Sequence, residues 1–443
     1  MVVRHGFRLI YICYYSSTMQ DVSEIEPRTW TRHIQMLTLI VAGETVFLLP
    51  FVVIRVFRPT FLAVFEITNF QLGTAFSAYG VVAMASYFFG GPLADRFSGK
   101  WLMTTALLCT ACGGIVYALI PKLSILILLY GFWGISTILL FWAALIRSTR
   151  LLGGSKRQSK AYGILDGGRG LLAAVISSLA VYTFASLLPT DVESADMVQK
   201  KAALAAVIWL CTLFTLITAF LVWWFIPHGA STVDRRSTPL RWSNALFKRR
   251  TLWLQSIIVV CAYVAYKSTD DFSLYASHAF GYDDVEAAQL GTVSFWVRPV
   301  AAVAAGILGD RLQASLVTAG SFIILILGSL CIAFGLLDGD STWWLIMVVV
   351  TTSLGIYAVR GIYFALFQEA KVPVVITGAA IGIVSFVGYT PDVFMGPLMG
   401  FLIDRSPGPL GHQHVFGVVA GFAFVGFIAS VLFRKLALTS GDD

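Results

Sequence analysis

The sequence GPLADR at residues 91–96 recurs as GILGDR at residues 306–311, so both copies follow the pattern G-x-L-x-D-R at an offset of 215 residues. A third hexapeptide at residues 400–405 also fits this pattern, so the inference depends on where the copies lie. Each of the first two copies ends a long apolar run. The same offset separates Gly163 from Gly378 and Gly167 from Gly382. The first glycine of each pair opens one apolar run, and the second opens another. Two separate features that share one offset predict two homologous halves.

The composition indicates that most of the chain is embedded in a lipid bilayer. Hydrophobic residues make up 58% of the 443 residues and charged residues only 12%, and the mean hydropathy is +0.81. Since a spanning helix needs about 20 apolar residues, a chain of this length holds roughly a dozen spans and no large soluble domain. The net charge of +7 does not indicate nucleic acid binding, because the basic residues lie in loops between apolar runs.

Twelve apolar runs predict an all-α membrane protein of two six-helix bundles related by pseudo-two-fold symmetry. The runs cover approximately residues 34–57, 70–92, 101–120, 124–146, 163–188, 202–226, 252–276, 287–308, 314–336, 342–366, 374–402 and 414–433. One long polar stretch separates the first six runs from the last six. The expected organisation is an N-terminal tail (1–33), a first bundle (34–226), a cytoplasmic linker (227–250), a second bundle (251–434) and a C-terminal tail (435–443).

The distribution of Lys and Arg predicts the orientation, because these residues accumulate in short cytoplasmic loops. With both termini inside, seventeen basic residues lie in inner loops and at the inner end of the last run, and six lie outside. Arg55 and Arg58 are counted among the six. We therefore expect cytoplasmic termini, in the cytoplasmic (inner) membrane of a bacterium.

The duplicated hexapeptide is a candidate gate at the cytoplasmic face. Its small residues would allow close helix contact, and its aspartates could face the partial positive charge of a neighbouring helix N-terminus. Such a contact can be made in one conformation and broken in the other. The candidate gating residues are Gly91, Asp95, Arg96, Gly306, Asp310 and Arg311.

The sequence GPLADRFSGK at residues 91–100 resembles the loop motif between the second and third helices of the major facilitator superfamily. Ser98 and Gly99 stand where that family usually has Gly and Arg, so the basic part of the motif consists of Arg96 and Lys100. The resemblance covers about residues 34–434. It implies two six-helix bundles, a central cavity, alternating access and function as a monomer.

The resemblance also bears on the substrate. The drug-antiporter branch of the family usually has a Gly-Pro pattern in its fifth helix, whereas here Gly396-Pro397 lies in the eleventh run. The charged cavity is more similar to branches that handle sugar phosphates or other organic anions. No motif names the substrate.

Nine ionisable residues lie inside apolar runs, where a charge is costly and is usually functional or paired. They are Glu44, Asp166, Arg169, Lys267, Asp270, Asp271, Arg298, Arg360 and Asp392. Helical spacing allows Asp166 to pair with Arg169, and Lys267 with Asp270 and Asp271. Glu44, Arg298, Arg360 and Asp392 have no charged neighbour at helical spacing, so each needs a partner on another helix, in water or in a ligand.

We hypothesise that the cationic residues bind an anionic substrate, with tyrosines on the face of Arg360, and that an acidic residue carries a proton. The candidate substrate ligands are Arg298, Arg360, Lys267, Tyr357, Tyr363 and Arg169, and the candidate proton carriers are Glu44 and Asp392. Structural interpretations stay open: Arg360 could extend to the inner interface, and either acid could be the permanent partner of an arginine.

No enzyme motif, cofactor site or metal site is expected, since the histidines are isolated in sequence and the cysteines are scattered among apolar runs. The partners are therefore a small-molecule substrate, together with protons or an exchanged anion, and the lipid bilayer. Three functions compete: a transporter of small organic anions, an exporter of hydrophobic or cationic compounds, and a transporter-like ligand receptor. Arg298 and Arg360 favour the first over the second, because a cation exporter would use acidic residues without arginines.

Overall fold

The computed structural model describes residues 29–153, 158–228, 247–337, 341–372, 374–406 and 408–439, and all regular structure in these ranges is helical. Twelve helices there are long and apolar enough to cross a membrane, which confirms the predicted all-α class and number. In chain order they are α1 (Trp30–Phe65), α2 (Asn69–Ala94), α3 (Gly99–Ala118), α4 (Leu123–Leu152), α5 (Gly163–Ser186), α6 (Met197–Phe225), α7 (Arg250–Phe280), α8 (Asp284–Leu312), α9 (Ala314–Ala333), α10 (Thr342–Ile362), α11 (Ala380–Arg405) and α12 (Pro409–Thr439). Most of the predicted tails and linker, at 1–28, 229–246 and 440–443, lies outside the described residues, so the domain limits stay predictions.

Several of these helices contain irregular turns. The first contains a π-helical turn at Leu48–Val52, the fourth another at Ile135–Trp142, and the seventh a 3₁₀ turn at Thr269–Asp271. The eleventh is interrupted between Gly388 and Pro391, where proline has no backbone N–H to donate to the preceding turn. Such turns leave backbone groups without their usual partners, which is one reason that they occur at functional positions.

Helix α1 extends further than the sequence predicted. Its apolar run was expected to end at residue 57, but the helix continues through Pro59 to Phe65. Arg55 and Arg58, which we counted on the outer side, lie within α1 and are only 1% and 3% exposed. The reason is that both arginines pair with aspartates of α7, so neither charge interrupts the span.

Each half has a core of its own. In the first half, Trp133 is fully buried and its ring meets those of Tyr117 and Tyr130 edge to face, with centroids 5.2 Å apart in both pairs. In the second half, the rings of Phe272 and Phe416 stack at 5.8 Å and join α7 to α12. The boundary between the halves contains close glycine contacts and ion pairs, together with aromatic contacts such as that of Phe88 with Phe386.

The two halves meet closely at the end that we predict to be extracellular. Helices α2 and α11 touch there through their backbones at Gly73 and Gly396. The carboxylate of Asp404 accepts hydrogen bonds from the backbone nitrogens of Asn69, at 3.2 Å, and Phe70, at 2.8 Å. This structure is therefore closed at the predicted extracellular end.

Candidate functional site

Two acids and two arginines from three helices form a central quartet, which consists of Glu44, Asp166, Arg169 and Arg298. Glu44 lies 3.3 Å from Arg169 on α5 and 3.3 Å from Arg298 on α8. Asp166 lies 3.6 Å from Arg169, as its helical spacing predicted, and 3.4 Å from Arg298. The quartet has no net formal charge and joins the two halves through Arg298.

Asp166 is the most exposed member of the quartet. The side chain of Glu44 is 4% exposed and that of Arg298 is 8% exposed, whereas that of Asp166 is 47% exposed. Asp166 lies in the first turn of α5, near its predicted cytoplasmic end. A solute that enters from that end would meet Asp166 first and then the two arginines.

Arg360 on α10 contacts tyrosine rings and forms no ion pair with an acid in the described part of the chain. Its guanidinium carbon lies 3.5 Å from the ring centroid of Tyr266 and 5.6 Å from that of Tyr263. Its Nη1 atom is buried and makes no hydrogen bond within the described part of the chain. Cation–π contact compensates a desolvated guanidinium only in part, so Arg360 retains an unsatisfied donor.

Six tyrosines surround this arginine and form a tyrosine cluster: Tyr87, Tyr263, Tyr266, Tyr357, Tyr363 and Tyr389. The hydroxyls of Tyr363 and Tyr389 lie 3.3 Å apart, and the ring of Tyr389 stacks on that of Tyr87 across the two halves at 5.7 Å. The hydroxyl of Tyr357 is buried and has no hydrogen-bond partner among the described residues. The predicted tyrosines Tyr357 and Tyr363 thus lie in the cluster, but the rings that face the guanidinium belong to α7.

A second charged network lies nearer the predicted extracellular end. Arg55 donates to Asp270 at 2.6 Å from Nε, and from Nη1 to the hydroxyl of Tyr266 at 3.1 Å. Lys267 lies 3.6 Å from Asp270, as predicted, and 3.5 Å from Asp392. The hydroxyl of Tyr263 also donates to Asp392 at 3.0 Å. Asp392, which had no neighbour at helical spacing, therefore has a lysine and a tyrosine as partners.

Asp271 has different partners from its neighbour Asp270. Its Oδ2 lies 2.7 Å from Nδ1 of His412, and Nε2 of His412 lies 3.0 Å from Nδ1 of His278. We call Asp271, His412 and His278 the histidine chain. The two histidines are isolated in sequence, but α7 and α12 pack side by side and bring them into contact.

The candidate gating residues lie apart from other helices in this conformation. A Cβ added at Gly91 or Gly306 would have no heavy atom within 4 Å, so the expected close helix contact is absent here. Asp310 and Arg311 are exposed and form no ion pair within the described residues. The side chain of Asp95 lies outside the described part.

The expected contact of Asp310 with a helix N-terminus is absent too. The backbone nitrogen of Ser315, in the first turn of α9, donates to Glu369 at 2.9 Å. Glu369 belongs to a short helical turn after α10 (Leu366–Glu369) that reaches this N-terminus. Arg96, the last residue of the helix that contains α2, is also exposed.

Twelve spanning helices in two halves, with charged groups buried between them, define an integral membrane protein of the transporter class. A family model described as Major Facilitator Superfamily matches residues 38–391, and the chain belongs to this family. The confirmed assignment includes the fold of twelve helices in two bundles, but no comparison identifies the branch that we expected.

Two curated relatives come from Escherichia coli strain K12. The inner membrane protein YqcE is 25% identical over 381 residues, which are 83% of this chain and 87% of that protein. The inner membrane protein YihN is 24% identical over 408 residues, with coverages of 90% and 94%.

Solved transporters share the fold at low sequence identity. A mutant of the nucleoside transporter NupG superposes with a TM-score of 0.68 at 15% identity, over 91% of this chain and 99% of that one. A bacterial homolog of the human lysosomal transporter Spinster, in an inward-facing and occupied conformation, superposes at 0.64 and 15% identity, with coverages of 93% and 96%.

Proposed function

We propose that this chain is a secondary transporter that moves a small organic anion across the cytoplasmic membrane by alternating access. Membership of the family supports the transporter part of this proposal. The finer part, that the substrate is an anion, rests on one observation: Arg360 is held between tyrosines, and no described acid forms an ion pair with it.

Formal charges show why Arg360 differs from the other cations between the helices. The central quartet is neutral. In the second network, Arg55, Arg58 and Lys267 face three aspartates, so this group is balanced as well. Among the described residues of the central region, Arg360 is the cation without an acidic partner. A guanidinium offers a planar fork of donors that matches a carboxylate or phosphate.

The tyrosine cluster suits the remainder of such a substrate. Aromatic rings supply apolar contact area, and their hydroxyls supply polar groups at fixed positions. The unpartnered hydroxyl of Tyr357 lies in this cluster. A compact, polar organic acid or phosphate ester therefore matches the cluster better than a large hydrophobic cation does.

The quartet offers a route for coupling. An anion that approaches Arg298 or Arg169 would compete with Glu44 for these cations, and a carboxylate that loses a cationic partner binds a proton more readily. Proton symport through Glu44 or Asp392 and exchange of one anion for another both fit this arrangement. In either mode, the duplicated hexapeptides would close the cytoplasmic end in the opposite conformation.

The test is uptake into proteoliposomes of gluconate and glucose 6-phosphate, with adenosine as an uncharged probe. Arg360→Lys keeps the charge and removes the fork, so we expect binding of the accepted anion to weaken roughly 10- to 100-fold, since charged hydrogen bonds contribute about 1.5–3 kcal/mol. Arg405→Lys is the matched control, because Arg405 is an exposed residue at the end of α11.

Uptake of adenosine without uptake of either anion would refute the anionic substrate. Unchanged anion binding by Arg360→Lys would refute the role of this residue. Binding of an anion without net uptake or exchange would favour the receptor function instead.

A further inference from the structure

The histidine chain connects a buried carboxylate to the protein surface. Asp271 and His412 are both 0% exposed, whereas His278, one helical segment further along α7, is exposed at the predicted extracellular end. The two contacts that join them measure 2.7 Å and 3.0 Å. The proposed transport function assigns no role to these three residues.

The geometry of the histidine chain suits proton transfer and not metal binding. A metal ion needs ligand atoms that converge on one point, whereas the two ring nitrogens of His412 point in opposite directions. No cluster of metal-ligating side chains occurs among the described residues. With both imidazoles neutral, one placement of the ring protons satisfies both hydrogen bonds. Nδ1–H of His278 donates to Nε2 of His412, and Nδ1–H of His412 donates to Asp271. The Nε2 atom of His278 is then free to accept a proton.

We propose that the histidine chain is a proton-binding site that is filled from the predicted extracellular side and controls closure of that side. A proton binds at Nε2 of His278, and the Nδ1 proton of His278 moves to Nε2 of His412. His412 is then protonated at both ring nitrogens, so the histidine pair carries one positive charge, which faces the carboxylate of Asp271.

The positive charge on the histidine pair weakens a contact between the two halves. Arg58, on α1 of the first half, lies 3.7 Å from Oδ1 of Asp271 in the second half, and this oxygen is buried without a hydrogen-bond partner among the described residues. Arg58 also donates to the backbone oxygen of Asp270 at 3.0 Å and to Asn69 at 2.9 Å. A cation on the histidine pair competes with Arg58 for the carboxylate of Asp271 and repels the guanidinium, so Arg58 is held mainly by the neutral contacts and the closed population falls.

The other polar groups around the chain leave this assignment intact. The ring of Tyr275 lies 5.4 Å from that of His412, and Asp404 of α11 is engaged with Asn69 at 3.1 Å. The carboxylate of Asp270 is bound by Arg55 and Lys267. Arg58 is therefore the charged group that senses the charge of the histidine pair.

The experiment measures the distance across the predicted extracellular end as a function of pH, with no substrate present. Spin labels are placed at Glu193→Cys in the first half and Trp343→Cys in the second, both exposed positions, in a variant without native cysteines. We expect the population with the longer distance to rise roughly tenfold between pH 8 and pH 5, which is the range in which histidine titrates. Asp271→Asn should show the longer distance at every pH.

His278→Gln is the decisive variant, because this exposed side chain can be changed without damage to the core. It should lose the pH response, whereas His414→Gln, an exposed histidine two residues after His412 on α12, should keep it. An unchanged pH response in His278→Gln, or no response in the parent protein, would overturn the proposal. Because no substrate is used, neither result bears on Arg360 and the anionic substrate.

Discussion

The backbone contact between α2 and α11 predicts a large effect from a single methyl group. A Cβ at Gly73 would lie 2.3 Å from the backbone oxygen of Gly396, whereas ordinary contact begins at 3.4 Å. Gly73→Ala therefore requires the helices to separate by about 1 Å at this point, because close-packed backbones cannot absorb the added volume. Overpacking of this kind costs roughly 1–3 kcal/mol, and this cost falls on the closed form alone. We expect the closed-to-open ratio at the predicted extracellular end to fall roughly 5- to 150-fold.

The assay for Gly73→Ala is the distance distribution between spin labels at Glu193→Cys and Trp343→Cys. Gly417→Ala and Gly421→Ala are matched controls, because an added Cβ at either exposed position on α12 meets no heavy atom within 4 Å. They should leave the distance distribution as it is in the parent protein. An unchanged distribution in Gly73→Ala, or an equal opening in Gly417→Ala, would refute the argument from helix contact.

Two further predictions concern orientation and coupling. In intact cells, a membrane-impermeant thiol reagent should label Asp283→Cys and leave the linker variant Ser237→Cys unlabelled, because basic residues are concentrated in the linker and its neighbouring inner loops; the reverse pattern would invert the topology. With the anion accepted in the uptake assay, Arg298→Lys should weaken binding. Glu44→Gln or Asp392→Asn should spare binding and exchange but abolish accumulation driven by a pH gradient. Accumulation that persists in both acid variants would exclude them as proton carriers.

The spans could be predicted from the sequence, since helix length in a bilayer is set by apolar length. The largest difference was at α1, whose predicted end was eight residues short. A hydropathy argument treats Arg55 and Arg58 as residues that require water. Hydropathy alone cannot show that two aspartates more than 200 residues away in the sequence form ion pairs with these arginines.

The charged site was only partly predictable. Helical spacing correctly paired Asp166 with Arg169 and Lys267 with Asp270, because such pairs are local. The partner of Glu44 could not be found in this way, since Arg298 is 254 residues away. The same holds for the histidine chain, in which α7 and α12 bring together residues with no shared spacing.

One signal in the sequence was nevertheless overlooked. Arg55 and Asp270 are separated by 215 residues, the same offset that relates the two hexapeptides. They therefore occupy equivalent positions in the two halves, and equivalent positions near a two-fold axis face each other. Adding the offset to the number of Arg55 gives the number of its partner.

The Arg55–Asp270 contact limits how such a protein can be assembled. In a dimer of two identical six-helix chains, the two-fold axis would place each side chain opposite its own copy, and either two arginines or two aspartates would meet at this position. Like charges buried at a separation of 2.6 Å would repel strongly. A single chain with two unequal halves can encode opposite charges at one symmetry-related position. A single chain with two fused halves can therefore form this contact, whereas a homodimer of either half cannot.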